Sequence, residues 1–340
     1  MIPPVASYPL FRGDGVIEFV DKQVPEAGPG QLLVQCKANA LCASDLGGFR
    51  RGSDVTMGHE ITGIVVQAGD GTTTPVGTPG VVFLMDFCGE CRSCRLGLTN
   101  QCLQKRADYG FNRDGGYGPY TLINENVFFP IDADIPFDEA TMLLDIMGTG
   151  GHALSRGQLV HPDAGSLLVN GAGPIGLGIL AMAKLRFGLD FPVVITDLVP
   201  YRLELAEEMG GMPINVATSS LAAGLAHHGV ETIDLAVDAT GKTVARRAAL
   251  DALAKRGVLV CVGHGEGLDL TVSPDLIATE RAILGSEYFC YNELAANLDL
   301  LRQQRGYLGQ IITHRYPVAE LGAAFAQFIA GATGKVIAVQ

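Results

Sequence analysis

Residues 166–197 read SLLVNGAGPIGLGILAMAKLRFGLDFPVVITD: a short apolar run, a glycine-rich turn, a longer apolar segment with proline near its start, and a second apolar run. Gly171, Gly173 and Gly176 fall in G-x-G-x-x-G spacing at the junction of predicted strand and helix. Each glycine has a physical task there: a tight turn, close approach of the backbone to a pyrophosphate, and close packing of helix on strand, with the helix N-terminus facing the anion. Pro174 and Ile175 complete the hexapeptide and are counted with it as cofactor-contacting positions. Asp197 ends the second run, 21 positions after the last glycine. A carboxylate there accepts hydrogen bonds from the adenosine ribose and repels a 2′-phosphate, which favours NAD over NADP. Arg202, nearby, keeps NADP open.

Downstream the alternation continues. PYRLELAEEMGG reads as a helix, IDLAVDAT as strand, TVARRAALDALAKRG as helix, and GVLVCVG and RAILGSEYF as strands. Strict alternation implies right-handed crossovers and a parallel sheet covered on both faces. Before about residue 150 the texture differs: runs such as QLLVQCKA and ITGIVVQAG are broken by glycine and proline, as in a β-rich, loop-rich domain. The last stretch, RYPVAELGAAFAQFIAGATGKVIAVQ, predicts a helix and a strand that returns to the first domain. The expected division is 1–149, completed by 289–340, and 150–288. A chain of 340 residues, 48% hydrophobic, has enough apolar side chains for two such cores.

The formal charge of −12 argues against a polyanionic partner such as nucleic acid. No apolar run reaches membrane-spanning length, and the N-terminus lacks the pattern of a secretory leader. The expected location is the cytoplasm, where closely spaced thiols are metal ligands rather than disulfides. Cys88, Cys91, Cys94 and Cys102 have C-x2-C-x2-C-x7-C spacing. Four thiolates close a tetrahedral zinc completely and leave no position for substrate, so this cluster reads as structural; the same ligands also suit a small iron–sulfur cluster. Cys36, Cys261 and Cys290 lie in apolar, strand-like runs and read as packing residues, and His227 and His228 as a solvated loop. Cys42, His59 and Glu60, in LCASDL and GHE, offer thiolate, imidazole and carboxylate for a second metal.

CASD, GHE, the four-cysteine lobe, DGGYGPY and GAGPIG, in that order over nearly the whole chain, resemble the zinc-dependent medium-chain alcohol and polyol dehydrogenases. The resemblance implies a GroES-like catalytic domain beside a doubly wound Rossmann cofactor domain, two zinc ions per subunit and a homodimer or homotetramer. It makes Cys42 and His59 ligands of a catalytic zinc, Asp45 the carboxylate that orients His59, and Ser44 the hydroxyl that takes the alcohol proton. Glu60 matches an acid at or near the metal, bound directly or through water. LLDIMGTGGHAL implies Asp145 as third ligand, with Thr149 beside the nicotinamide and His152 supporting the register. Two positions depart from the family pattern: Gly47 stands where a relay histidine is common, and Pro119 where an acidic or amide residue is. The implied activity is reversible oxidation of a secondary alcohol, with a lean towards sugars, polyols or cyclitols. Arg50 and Arg51, just after the CASD segment, are candidates for an anionic substrate. A zinc-free quinone or enoyl reductase of the same fold needs neither the ligand set nor the lobe, and a non-catalytic NAD- and zinc-binding protein is the alternative from another class.

Overall fold

A computed structural model describes all 340 residues. β1 (Val5–Gly13) and β2 (Val16–Gln23) form an antiparallel hairpin. β3 (Gln31–Ala40) is the spine of the first half. β4 (Ile61–Ala68) pairs with it antiparallel on one side, followed outward by β5 (Pro79–Val82). β6 (Met85–Asp86) and β7 (Ala107–Asp108) make a short separate pair that brackets the four-cysteine lobe. β8 (Tyr120–Asn124) pairs with the first half of β3, and β9 (Phe128–Pro130) closes the far edge on β5.

The second half holds a six-stranded parallel sheet of β10 (Leu167–Asn170), β11 (Val193–Asp197), β12 (Met212–Asn215), β13 (Ile233–Asp238), β14 (Leu253–Cys261) and β15 (Ala282–Gly285). Their spatial order is β12-β11-β10-β13-β14-β15. The strand order therefore reverses beside β10, and ligands of such sheets bind at the carboxyl ends of the strands next to that reversal. All four residues of β10 are buried because helices cover both faces of the sheet. The helix Pro174–Phe187 is apolar nearly all round and correspondingly buried, with proline at its first turn.

β17 (Lys335–Val339) returns to the first sheet, as the final segment predicted, and β16 (Ile312–Pro317) lies parallel beside it at the sheet edge. β17 pairs antiparallel with residues 38–40 of β3, which places Lys335 at the rear of the segment after β3. One continuous apolar core runs from the first sheet through Leu143–Met147 into the parallel sheet. No helix is long and apolar enough to cross a membrane.

Four local expectations differ. β12 was not predicted because Pro213 breaks the strand signal; β12 is an edge strand, where a missing N–H is tolerated. The helix Leu221–His227 was also missed, so His227 closes a helix rather than lying in a loop. The helix predicted from 243 ends at Ala252; Leu253 pairs with Ile233, and Arg256 takes a left-handed turn (φ 65°) within the strand. β15 stops at Gly285, so Cys290 lies in the loop before the helix Glu293–Gly309, not in a strand.

Candidate active site

Cys42 lies two residues beyond β3 and precedes a short turn, Ala43–Asp45, that Asp45 itself stabilises: the Cys42 N–H donates to Asp45 Oδ2 at 3.1 Å. The same oxygen accepts the Tyr117 hydroxyl at 2.7 Å, and Oδ1 accepts His59 Nδ1 at 3.1 Å. Asp45 is fully buried, with both oxygens engaged. Because a carboxylate only accepts, Nδ1 carries a proton, which leaves Nε2 as the nitrogen turned toward the other donors. Nε2 lies 3.5 Å from Ser44 Oγ and 3.6 Å from Asp145 Oδ2. Asp145 lies 86 positions beyond His59, at the start of a π-helical turn, Asp145–Thr149, that runs into the helix Gly150–Gln158. Gly58 has φ 97°, and a Cβ there would lie within 2.9 Å of Asn39 and Tyr117, so only glycine lets the chain turn into His59 and Glu60.

Donor atoms of Cys42, His59, Glu60 and Asp145 lie within 4.8 Å of one another. Glu60 is completely buried; Oε1 accepts from Lys335 Nζ, and Oε2 has no hydrogen-bond partner. Burial and then the Asp145 charge push Glu60 well above the usual carboxylate range, and the same two causes raise the Cys42 thiol. Burial would depress His59, but Asp45, Asp145 and Cys42 outweigh it and hold the imidazole well above its ordinary value. Burial would raise Asp145, yet His59 beside it keeps that carboxyl well below the usual range. Three acidic donors thus crowd one imidazole, and the one buried ammonium touches a single Glu60 oxygen. A divalent cation among them would relieve the repulsion and could take up the free oxygen. Thiolate, imidazole and carboxylate are ligands zinc accepts, so the residues fit that metal.

The four lobe cysteines also converge. Sγ–Sγ separations are 3.5 Å for Cys91–Cys94, 3.9 Å for Cys88–Cys94 and 4.0 Å for Cys91–Cys102. Backbone N–H groups aim at the sulfurs: Cys91 N at Cys88 Sγ (3.3 Å), Cys88 N at Cys102 Sγ (3.2 Å) and Leu103 N at Cys91 Sγ (3.4 Å). The backbone N–H groups of Cys94 and then Leu103 lower Cys91 to about 6, whereas burial pushes Cys94 up to about 12. All eight cysteines are free thiols. The set could hold a tetrahedral metal with no position left for substrate.

Two cavities meet at the first cluster. One, of about 520 Å³, runs from Gly171, Gly173, Pro174 and Gly176 past Asp197 and Arg202 to Cys42 and Lys335. A Cβ on Gly176 would stand 1.7 Å from Gly171 O, whereas one on Gly173 would meet only Arg202 Nη1 at 3.8 Å. Gly176 is thus required by packing, and Gly173 faces open space where a ligand backbone can approach. Asp197 Oδ2 accepts from Ala172 N at 2.8 Å, and Oδ1 accepts from Leu198 N and Val199 N; Arg202 Nη1 stands 3.9 Å away. Arg50 lines this cavity and Arg51 does not. A Cβ on Gly47 would lie 2.9 Å from Arg51 Nη2, so the arginine occupies the space beside the missing relay side chain.

The second cavity, of about 340 Å³, contains Ser44, His59, Asp145 and Thr149, and shares Cys42 and Ile175 with the first. Its other walls mix apolar and charged groups: Met85, Phe111 and Tyr288, with Lys105 ion-paired to Asp108 at 2.8 Å. A larger groove of about 1010 Å³ lies between the helices Leu221–His227 and Thr243–Ala252, away from these donors. The sequence reading missed Tyr117, Lys335, Phe111 and Lys105 as parts of the site. The only advance signals were Tyr117's place within GGYGPY and a lone lysine heading the apolar run KVIAV. Pro119 leaves its loop's backbone pairing intact, with its carbonyl accepting Cys36 N at 2.9 Å.

Residues 28–133 match the alcohol dehydrogenase GroES-like domain family, and residues 174–303 the zinc-binding dehydrogenase family. An L-threonine 3-dehydrogenase from Shewanella frigidimarina is 32% identical over 338 residues, covering 94% of this chain and 95% of that one. An alcohol dehydrogenase of E. coli CFT073 solved with NADH superposes with a TM-score of 0.89 at 23% identity, covering 99% of this chain and 100% of that one. A zinc-binding dehydrogenase from Sinorhizobium meliloti 1021 bound to NADP gives 0.86 at 23% identity, covering 98% and 99%.

Proposed function

The chain belongs to the zinc-dependent medium-chain dehydrogenase family, and on that premise we propose that it reversibly oxidises a secondary alcohol with NAD as hydride acceptor. The observation that carries this reading is the meeting of the glycine-turn cavity and the polar pocket at Cys42, beside an imidazole oriented by Asp45. When bound, zinc supplies the Lewis acidity that lets a hydroxyl lose its proton near neutral pH, and the nicotinamide accepts the hydride.

The chain's own residues do the rest. Cys42, His59 and Asp145 would hold the metal, with Glu60 close enough to join them and Lys335 on one of its oxygens. Asp45 keeps the His59 proton on Nδ1, and Tyr117, whose hydroxyl is raised well above its ordinary value by burial and then by Asp45, stays a donor to that carboxylate. Ser44 Oγ would take the substrate proton, and with Gly47 in place of a ring no side chain at that position would relay it onward. Gly171, Gly173, Pro174, Ile175 and Gly176 cradle the pyrophosphate, Asp197 the ribose with Arg202 at its side, and Thr149 borders the nicotinamide. The Asp197 carboxylate is the reason to prefer NAD to NADP. Cys88, Cys91, Cys94 and Cys102 would hold a second, structural zinc.

The charged rim at Lys105 and Asp108 supports a hydroxyl-rich substrate, a sugar, polyol or cyclitol, over a plain aliphatic alcohol. We take the catalytic unit as 1–149 with 289–340, the cofactor unit as 150–288, the assembly as a homodimer or homotetramer, and the location as cytoplasmic. The test is reduced-nicotinamide formation across polyols, sugar acids, cyclitols and 3-hydroxy amino acids with each cofactor. Turnover confined to simple primary alcohols, or to NADP, would contradict the corresponding part.

A further inference from the structure

A third group of donors comes together away from both sites above, where the helix Gly150–Gln158 meets the loop before the helix Glu293–Gly309. Candidate ligand atoms of His152, Cys290 and Glu293 lie within 4.8 Å of one another. His152 Nδ1 donates to Glu293 Oε2 at 2.9 Å, and the Cys290 N–H donates to the same oxygen at 2.6 Å. The carboxylate therefore fixes the ring proton on Nδ1 and leaves Nε2 as the acceptor nitrogen. Nε2 faces the Asn100 side chain, 3.5 Å from its Nδ2, and Cys290 Sγ stands 3.2 Å from Asn100 Oδ1. This repeats the logic at His59, where a carboxylate on one ring nitrogen prepares the other for a metal. Only 11% of the His152 side chain and 5% of Cys290 are exposed, yet a cavity of about 780 Å³ opens on both.

We propose that this cluster is a third metal site, taking a thiophilic divalent cation such as zinc. His152 Nε2 and Cys290 Sγ are its nitrogen and sulfur donors, Asn100 Oδ1 supplies an oxygen, and Glu293 holds the imidazole. Water from the cavity completes the shell. Binding replaces the Cys290 thiol proton, which passes to water, by the metal–sulfur bond. The same asparagine donates from Nδ2 to Glu287 O at 2.7 Å, and Tyr291 N donates to Thr99 Oγ1 at 2.8 Å. The ion would thus fasten the cysteine lobe, which contains Asn100, to the helix that continues the Asp145–Thr149 turn.

The experiment equilibrates the intact enzyme with buffered free zinc, desalts it and counts metal per chain by mass spectrometry. His152→Ala and Cys290→Ser, which touch neither reacting atoms nor cofactor, should each hold one equivalent fewer than the wild type, with unchanged circular dichroism and turnover. Cobalt-loaded wild type minus cobalt-loaded C290S should show a thiolate-to-cobalt charge-transfer band. A C290S count equal to wild type, or a difference spectrum without that band, overturns the proposal. If either substitution prevents folding, the wild-type count decides: three equivalents support the site, and two overturn it.

Discussion

Removing the Lys335 ammonium should expose how much the active site depends on one buried ion pair. Lys335 and Glu60 are both wholly inaccessible to solvent, and Glu60 Oε2 already lacks a partner. Lys335→Met leaves that carboxylate buried with neither oxygen paired, a loss of about 3–5 kcal/mol for one half of a buried pair. Glu60→Gln strands the ammonium instead. The double variant strands neither, so its loss should fall short of the sum of the single losses by about 1–3 kcal/mol, the coupling typical of contacting groups. Reversible urea unfolding followed by circular dichroism measures this; the chain has no tryptophan, so fluorescence is a poor reporter. Burial lowers the Lys335 pKa, but Glu60 and its acidic neighbours outweigh that and hold it at about 12, above the free value of 10.5. A raised ammonium pKa means the stabilisation is full below pH 10.5 and is lost as pH rises through about 12. The alkaline loss should be weaker in K335M. Single losses that add to within about 0.5 kcal/mol, with an unchanged alkaline limb, would refute the pairing.

Asp45→Asn removes the charge that orients His59 and should weaken zinc retention at that site about 10–100-fold against a chelator, with turnover falling in parallel. Asp197→Gly should raise the NAD KM by about 10–100-fold, the equivalent of one charged hydrogen bond, and narrow the gap to NADP, both read from initial rates. Cys91→Ser should lower soluble yield and thermal midpoint, while the folded fraction keeps its kcat; selective loss of turnover in well-folded protein would contradict a structural lobe.

Much of the cofactor half was legible because its signals are local. The three glycines and Asp197 lie within 27 residues, and their spacing is dictated by one turn, one helix and two strands. The lobe cysteines are equally compact. Of the metal cluster, Cys42, His59 and Glu60 were legible as candidate donors, but Asp145 only through family resemblance, since it lies 103 positions beyond Cys42. What escaped notice depends on distant partners: Tyr117 reaches Asp45 across 72 positions, and Lys335 reaches Glu60 across 275. No periodicity marks such pairs, because burial of a lysine is decided by the strand beside it rather than by its neighbours in sequence. Cys290 looked like packing for the same reason; its neighbours Asn100 and His152 lie 190 and 138 positions away. Pro213 misled in the opposite direction, since a local strand breaker is harmless at a sheet edge.

The central claim is that turnover resides at the dispersed ligands and not at the four-cysteine lobe. Metal content and NAD-linked oxidation of the best substrate, measured together on folded Cys42→Ala and His59→Ala, test it most directly. Each variant should lose about one zinc equivalent and nearly all turnover while keeping its lobe metal and NAD binding. Either variant with full turnover and undiminished zinc would contradict the account.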